Sequence, residues 1–210
     1  MKNKNRFEIL NSLPTYGPMY ISITENGGEY YQEGFVVRFY KDDKTDWVAN
    51  FKPGINEFNK IFDFPLKNRI VIFAGGMCYV MNPNLEKPIL IFGIAINNVF
   101  QSENGSLICV DSTGVEILDN TNGELWTSER ISIDGFKDLI FENEILIGKS
   151  FDPMNSLKEW SKFSLNIKTK EIKGGSFREM IERNPNLEMK NRIEIQEKKL
   201  KERIKWKFWK

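Results

Sequence analysis

The residues that most enzymes use for proton and nucleophile chemistry are largely missing from this chain. It contains no histidine, which removes Ser-His-Asp and Cys-His mechanisms and imidazole metal ligation together. Its cysteines, Cys78 and Cys109, lie in apolar strand-like runs, where a thiol acts as a small hydrophobe. Two thiols without histidine do not make an ordinary zinc site, and no metal or cofactor is expected. What remains is carboxylate chemistry. Acids stand near tryptophans at Asp46-Trp47, at Trp126 with Asp134, and at Glu159-Trp160. A sugar-hydrolysing site would need such rings for stacking and two converging carboxyl groups. The simpler reading is that the rings pack the core or its rim and the acids bond local backbone.

Two other segments have a composition suited to contact. Between Trp126 and Asp134, an extended run would place Ser128, Arg130 and Ser132 on one face with Trp126. Arginine and tryptophan are enriched at binding hot spots, so Trp126, Arg130, Asp134 and Trp160 are the candidate partner-binding residues. The structural alternative is an ion pair from Arg130 to Asp134 or Asp138. The final stretch alternates basic and aromatic residues, Lys205, Trp206, Lys207 and Trp209. Such a tail suits phosphates and bases, an anionic lipid surface, or a protein partner, or else a helix end whose cations meet the negative pole of the dipole.

Motifs with stricter spacing fail. Asp119-Asn120-Thr121-Asn122-Gly123-Glu124 lacks the acids or amides that a calcium loop needs at its third and fifth positions. Gly27-Gly28, Gly75-Gly76 and Gly174-Gly175 lack phosphate-loop spacing and are expected at turns or bulges.

The elements that must position these residues are short strands. Runs such as Phe35–Tyr40, Trp47–Phe51, Ile70–Phe73, Met77–Met81, Leu107–Asp111 and Ile145–Phe151 are punctuated by Gly, Asn, Asp and Pro. Asn122-Gly123 predicts a type I′ hairpin turn. Ile55–Phe62 has a short helical rhythm. A strand ending in Asp or Asn and a polar turn recurs at Asp42, Asn82, Asp119 and Asn166, spaced 40, 37 and 47 residues apart. Segments of that length holding about four short strands predict a mainly β, propeller-like meander of antiparallel strands, with a β-sandwich or barrel as the alternative.

Beyond Gly174-Gly175 the character changes. Phe177–Arg183 reads as a short helix stopped by Asn184-Pro185, and Met189, Ile193, Leu200, Ile204 and Phe208 form an apolar stripe in a further helical stretch. The expected organisation is a β-rich domain over 1–176 and a C-terminal helical extension over 177–210 packed on it. Net charge is +1, but positions 198–210 carry seven basic residues against one acid. The rest has 23 basic and 28 acidic residues, a mildly acidic body at −5. The longest apolar run, Ile70 to Met81, is too short for a membrane helix, which needs about 20 residues. The N-terminus has no apolar stretch of the secretory type, so a cytoplasmic location is expected.

The run Glu124-Leu125-Trp126-Thr127-Ser128-Glu129-Arg130 through Leu139 resembles a group of small, uncharacterised bacterial proteins with β-propeller-like repeats. So do Gly148-Lys149-Ser150-Phe151-Asp152-Pro153, Trp160 and Gly174-Gly175-Ser176-Phe177. The likeness covers roughly residues 70–177 and carries no catalytic residue across. Some proteins of this sort look like immunity partners of toxins delivered between bacteria. The resemblance therefore implies a non-enzymatic protein that binds a toxin domain and occludes it. The basic C-terminal helix departs from the pattern.

Overall fold

The structure is a computed structural model that describes residues 5–16, 19–154 and 159–184. The described residues are mainly β, with sixteen strands in four four-stranded sheets. The strands are β1 (Phe7–Leu10), β2 (Ile21–Ile23), β3 (Phe35–Tyr40), β4 (Asp46–Phe51), β5 (Lys60–Phe64), β6 (Arg69–Ala74), β7 (Met77–Met81) and β8 (Pro88–Phe92). They continue with β9 (Asn98–Gln101), β10 (Leu107–Val110), β11 (Val115–Leu118), β12 (Leu125–Thr127), β13 (Phe136–Glu142), β14 (Ile145–Phe151), β15 (Trp160–Asn166) and β16 (Ile172–Gly174). Helix α1 (Ser176–Arg183) follows the last described strand.

Three sheets run in chain order, β5 to β8, β9 to β12 and β13 to β16; the first is ordered β1-β3-β4-β2. This is the meander of short strands that the spacing of about 40 residues predicts. Among the described residues no sheet closes on itself, so the barrel alternative does not hold. The first sheet departs from a pure antiparallel meander, because β2 runs parallel to β4 with Ile21 opposite Ala49 and Ile23 opposite Phe51.

The chain divides into two compact units, residues 1–101 with 107–111, and 102–106 with 112–210. The first has an aromatic core. Phe39, Trp47, Phe51 and Tyr79 are buried with Ile70, Ile72 and Met77. Phe39 stacks on Trp47 at 4.8 Å between centroids, and Phe51 lies 5.0 Å from Tyr79. The polar tips of these rings are satisfied, as burial requires: Trp47 Nε1 donates to Pro83 O at 2.8 Å and Tyr79 Oη to Lys52 O at 2.6 Å. Cys78 and Cys109 are buried and form no disulfide.

In the second unit, β14 and β15 bury one face each. Leu146, Ser150, Phe163 and Leu165 point inward, while Ile145, Ile147, Lys149, Lys162 and Ser164 alternate outward. Helix α1 is joined to β15 by Ser161 Oγ donating to Glu179 at 2.5 Å, and to Asp152, the residue after β14, by an ion pair from Arg183 at 2.5 Å.

Two local expectations are corrected. Ile55–Phe62 is not helical: the chain bends at residues 55–56, residues 57–59 have no regular structure, and Lys60–Phe64 is a strand against β6. Asparagine side chains compete with helical backbone bonds there. Asn56 Oδ1 accepts from Phe58 N at 2.9 Å and Asn59 Oδ1 from Gly75 N at 2.8 Å. Nor is Asn122-Gly123 a type I′ turn, because Gly123 (φ 79°) has positive φ and Asn122 does not. The loop instead closes around Asp119: Gly123 N donates to Asp119 O, and the Asp119 carboxylate accepts from Thr121 N. Two-residue turns with both central residues at positive φ occur elsewhere, at Gly75-Gly76 (56° and 82°) between β6 and β7 and at Asn143-Glu144 (50° and 62°) between β13 and β14.

Candidate functional site

The tryptophans singled out by sequence occupy different sheets. Trp126, on β12, is half-buried with Lys170 Nζ 5.1 Å from its ring centre. Partial burial holds the Lys170 ammonium below its ordinary pKa, and Asp119 opposes that effect. Trp160, on β15, is stacked on Phe151 at 4.8 Å, and Lys137 Nζ stands 4.2 Å from its ring centre. Asp134 is exposed, and its backbone N–H donates to Phe151 O.

Arg130 does not share a face with Ser132. Strand β12 ends at Thr127, and residues 128–135 form an irregular connection in which Ser132 is fully buried while Arg130 is exposed. The guanidinium folds back on its own turn. Nε donates to Ser132 O at 2.9 Å, one terminal nitrogen donates to Ile133 O at 2.7 Å, and the group lies 5.4 Å from the Phe177 ring centre. The suggested ion pair is therefore replaced by carbonyl contacts, and Asp138 pairs with Lys149 instead. The tail residues Lys205, Trp206, Lys207 and Trp209 lie outside the described residues.

Buried serines surround this connection. Ser132 Oγ donates to Gly135 O, Ser176 Oγ donates to Phe151 O, and Ser150 Oγ donates to Ser161 O and accepts from Ser176 N. These hydroxyls fasten β14, the 131–135 connection and the start of α1 to one another. Among the described residues, no group of three or more His, Cys, Asp or Glu side chains is placed to hold a metal ion. The calcium-like Asp119 carboxylate is engaged by Thr121, whose hydroxyl and N–H hold its pKa below the usual range.

The most unusual chemistry lies on the exposed face of the fourth sheet. Antiparallel register sets Lys137 opposite Lys149 and Lys149 opposite Lys162, which makes a row of three lysines across β13, β14 and β15. Like charges directly opposite are destabilising in a sheet. One row along, Ile140 faces Ile147, Ile147 faces Ser164 and Ser164 faces Lys173. Ile140 and Ile147 remain 47% and 44% exposed. A groove of about 560 Å³ runs over this face between Asp138, Lys149, Lys162 and Lys173.

The face is shaped by a β-bulge in β13 between Lys137 and Ile140, where Asp138 takes φ 53°. Aspartate tolerates this left-handed region better than most residues. The bulge turns its carboxylate to Lys149, with Nζ to Oδ2 at 2.8 Å. That hydrogen bond holds the Asp138 carboxyl below its ordinary pKa. Lys173 has Glu171 at 3.3 Å; among the described residues Lys162 has no carboxylate partner. Of the four candidate contact residues, Trp160 alone belongs to this face. Sequence reasoning passed over the lysines because alternation shows that each points outward, whereas their juxtaposition depends on register.

A second groove, lined by Asn5, Phe7, Glu8 and Tyr40, holds a single carboxylate. Tyr40 Oη donates to that carboxylate at 2.9 Å, which raises the phenol pKa. Neither groove is lined by Trp126 or Trp160.

No family model and no curated protein matches the chain. Among solved structures it is similar to the crystal structure of the computationally designed Ika8 protein, at 15% identity and a TM-score of 0.38. That match covers 70% of this chain and 47% of the other, so the chain spans about half the length of that protein.

Proposed function

We propose that this chain is a non-enzymatic protein-binding module that works through the exposed face of its fourth sheet. The observation that carries the reading is the row Lys137–Lys149–Lys162, three like charges set side by side by strand register with one carboxylate, Asp138, among them. A sheet gains nothing in stability from that arrangement, and departures from local consistency tend to fall at functional positions. The bulge at Asp138 is a second departure at the same place. The resemblance over roughly residues 70–177 gives the reading its particular form: a cytoplasmic immunity protein that neutralises a toxin domain by occlusion. The lysine face alters the expected electrostatics. An acidic body would steer a basic partner, whereas this face complements an acidic one.

The carbohydrate alternative draws no support from the two tryptophans. Each has a lysine over its ring, and the grooves described each contain one carboxylate rather than a converging pair.

The reading is tested by capture from native lysate on the immobilised full chain, wild type beside the Lys149→Glu/Lys162→Glu double variant. A protein retained in near-stoichiometric amount by wild type and lost from the variant is expected. An identical set of retained proteins for both, or substrate turnover abolished by replacing one acid, would overturn it.

A further inference from the structure

We infer that the exposed face of the fourth sheet receives an extended segment of a partner protein in which carboxylates alternate with aliphatic side chains. This rests on the binding-module reading above and names the occupant of the same face. The lysine row and the Ile140–Ile147 row are one pleat repeat apart along the strands. Two residues of extended chain advance about 6.7 Å. A peptide lying along the strands and carrying an acid at one position and an aliphatic residue two further on matches both rows at once. Because the rows run across the strands, the peptide crosses each once: its acid lies among Lys137, Lys149 and Lys162, and the aliphatic group two residues on lies against the exposed Ile140 and Ile147. Lys173, opposite Ser164, ends the isoleucine row with a further cation.

The competing anion is a single-stranded nucleic acid, which takes affinity from bases stacked on open aromatic faces. The two rings paired across β14 and β15 on this face, Phe151 and Trp160, are stacked on each other at 4.8 Å, and Lys137 Nζ stands 4.2 Å from the Trp160 ring centre. An aliphatic–acidic peptide needs no stacking ring and uses the two isoleucines that a nucleic acid would leave exposed.

The test is fluorescence anisotropy of labelled probes titrated with the full chain. One probe is a short peptide repeating Glu-Ser-Val-Ser, with acid and aliphatic groups on one face. A second repeats Glu-Val-Ser-Ser, with the same composition and charge but the two groups on opposite faces. The third is oligothymidylate. The first peptide is expected to bind about tenfold more tightly than the second, and to weaken by about tenfold or more with Lys162→Glu and with Ile147→Ser. The Lys162→Gln variant, which relieves like-charge crowding and keeps the fold, should show a smaller loss. Equal binding of the two peptides, binding indifferent to these substitutions, or no peptide binding would overturn the assignment. Oligothymidylate binding that is lost in Lys162→Glu, without peptide binding, would reject the peptide while leaving the face a binding surface.

Discussion

Lys149 and Lys162 stand directly opposite one another across β14 and β15, and Lys137 faces Lys149 from the other side. Of these three, Lys149 alone is ion-paired among the described residues, with Asp138 at 2.8 Å. Lys162→Gln should therefore stabilise the protein, by about 0.5 kcal/mol on the scale of cross-strand pairs. Wild type should also gain more stability from added salt than the variant, since screening relieves the repulsion. Urea unfolding at low and high salt measures both effects; a destabilised variant would show that the lysine serves packing.

Arg130 joins two carbonyls of its own turn and lies against Phe177, the second residue of α1. A lysine has no planar fork to reach both oxygens. Arg130→Lys is expected to lower stability by about 1 kcal/mol. Hydrogen exchange in α1 should rise, while probe binding at the fourth-sheet face stays at the wild-type level.

The Asp152 carboxylate is 2% exposed and accepts from Arg183 at 2.5 Å and from Met154 N at 2.8 Å. Removing the cation leaves a buried charge with, among the described residues, the Met154 N–H as its donor. Arg183→Ala should cost about 1–3 kcal/mol, the range for an unmet buried polar group. Thermal unfolding reads the loss, and Asp152→Asn combined with Arg183→Ala should recover part of it.

Tyr79 is wholly buried with its hydroxyl on Lys52 O, and burial pushes its phenol well above the ordinary tyrosine range. The unfolded chain releases this proton near pH 10 while the folded chain keeps it. Above that pH the folded state therefore binds more protons, and stability falls as pH rises. Tyr79→Phe is expected to lose about 1–3 kcal/mol at neutral pH by stranding the Lys52 carbonyl. Its stability should then decline less steeply through alkaline pH, as followed by denaturant midpoints.

Much of the fold was legible along the chain. The turn at Asp119–Glu124 and the turn 47 residues later at Asn166–Glu171 are the same device. In each, the first residue's N–H meets the carbonyl of the last, its carbonyl takes the N–H four residues on, and its side chain caps the residue two ahead. Gly123 and Lys170, at φ 79° and 63°, fill equivalent positions. Apolar runs around Ile70, Met77 and Leu107 likewise mark buried strands. Such features depend on residues a few positions apart, so local pattern carries them. Ile55–Phe62 misled because Asn56 and Asn59 bind backbone at a bend, which outweighs a weak helical rhythm.

By itself, then, the sequence determined a histidine-free chain of short strands, where its turns fall, and which side of β14 and β15 each lysine occupies, because strand alternation is a period-two property of neighbouring residues. Only the tertiary structure decided that Lys137, Lys149 and Lys162 stand in one row, that Asp138 reaches into it, and that Arg130 folds back on its own turn. Cross-strand register is set by turns and a bulge far along the chain, and a shift of one residue in pairing would have placed those charges beside different neighbours.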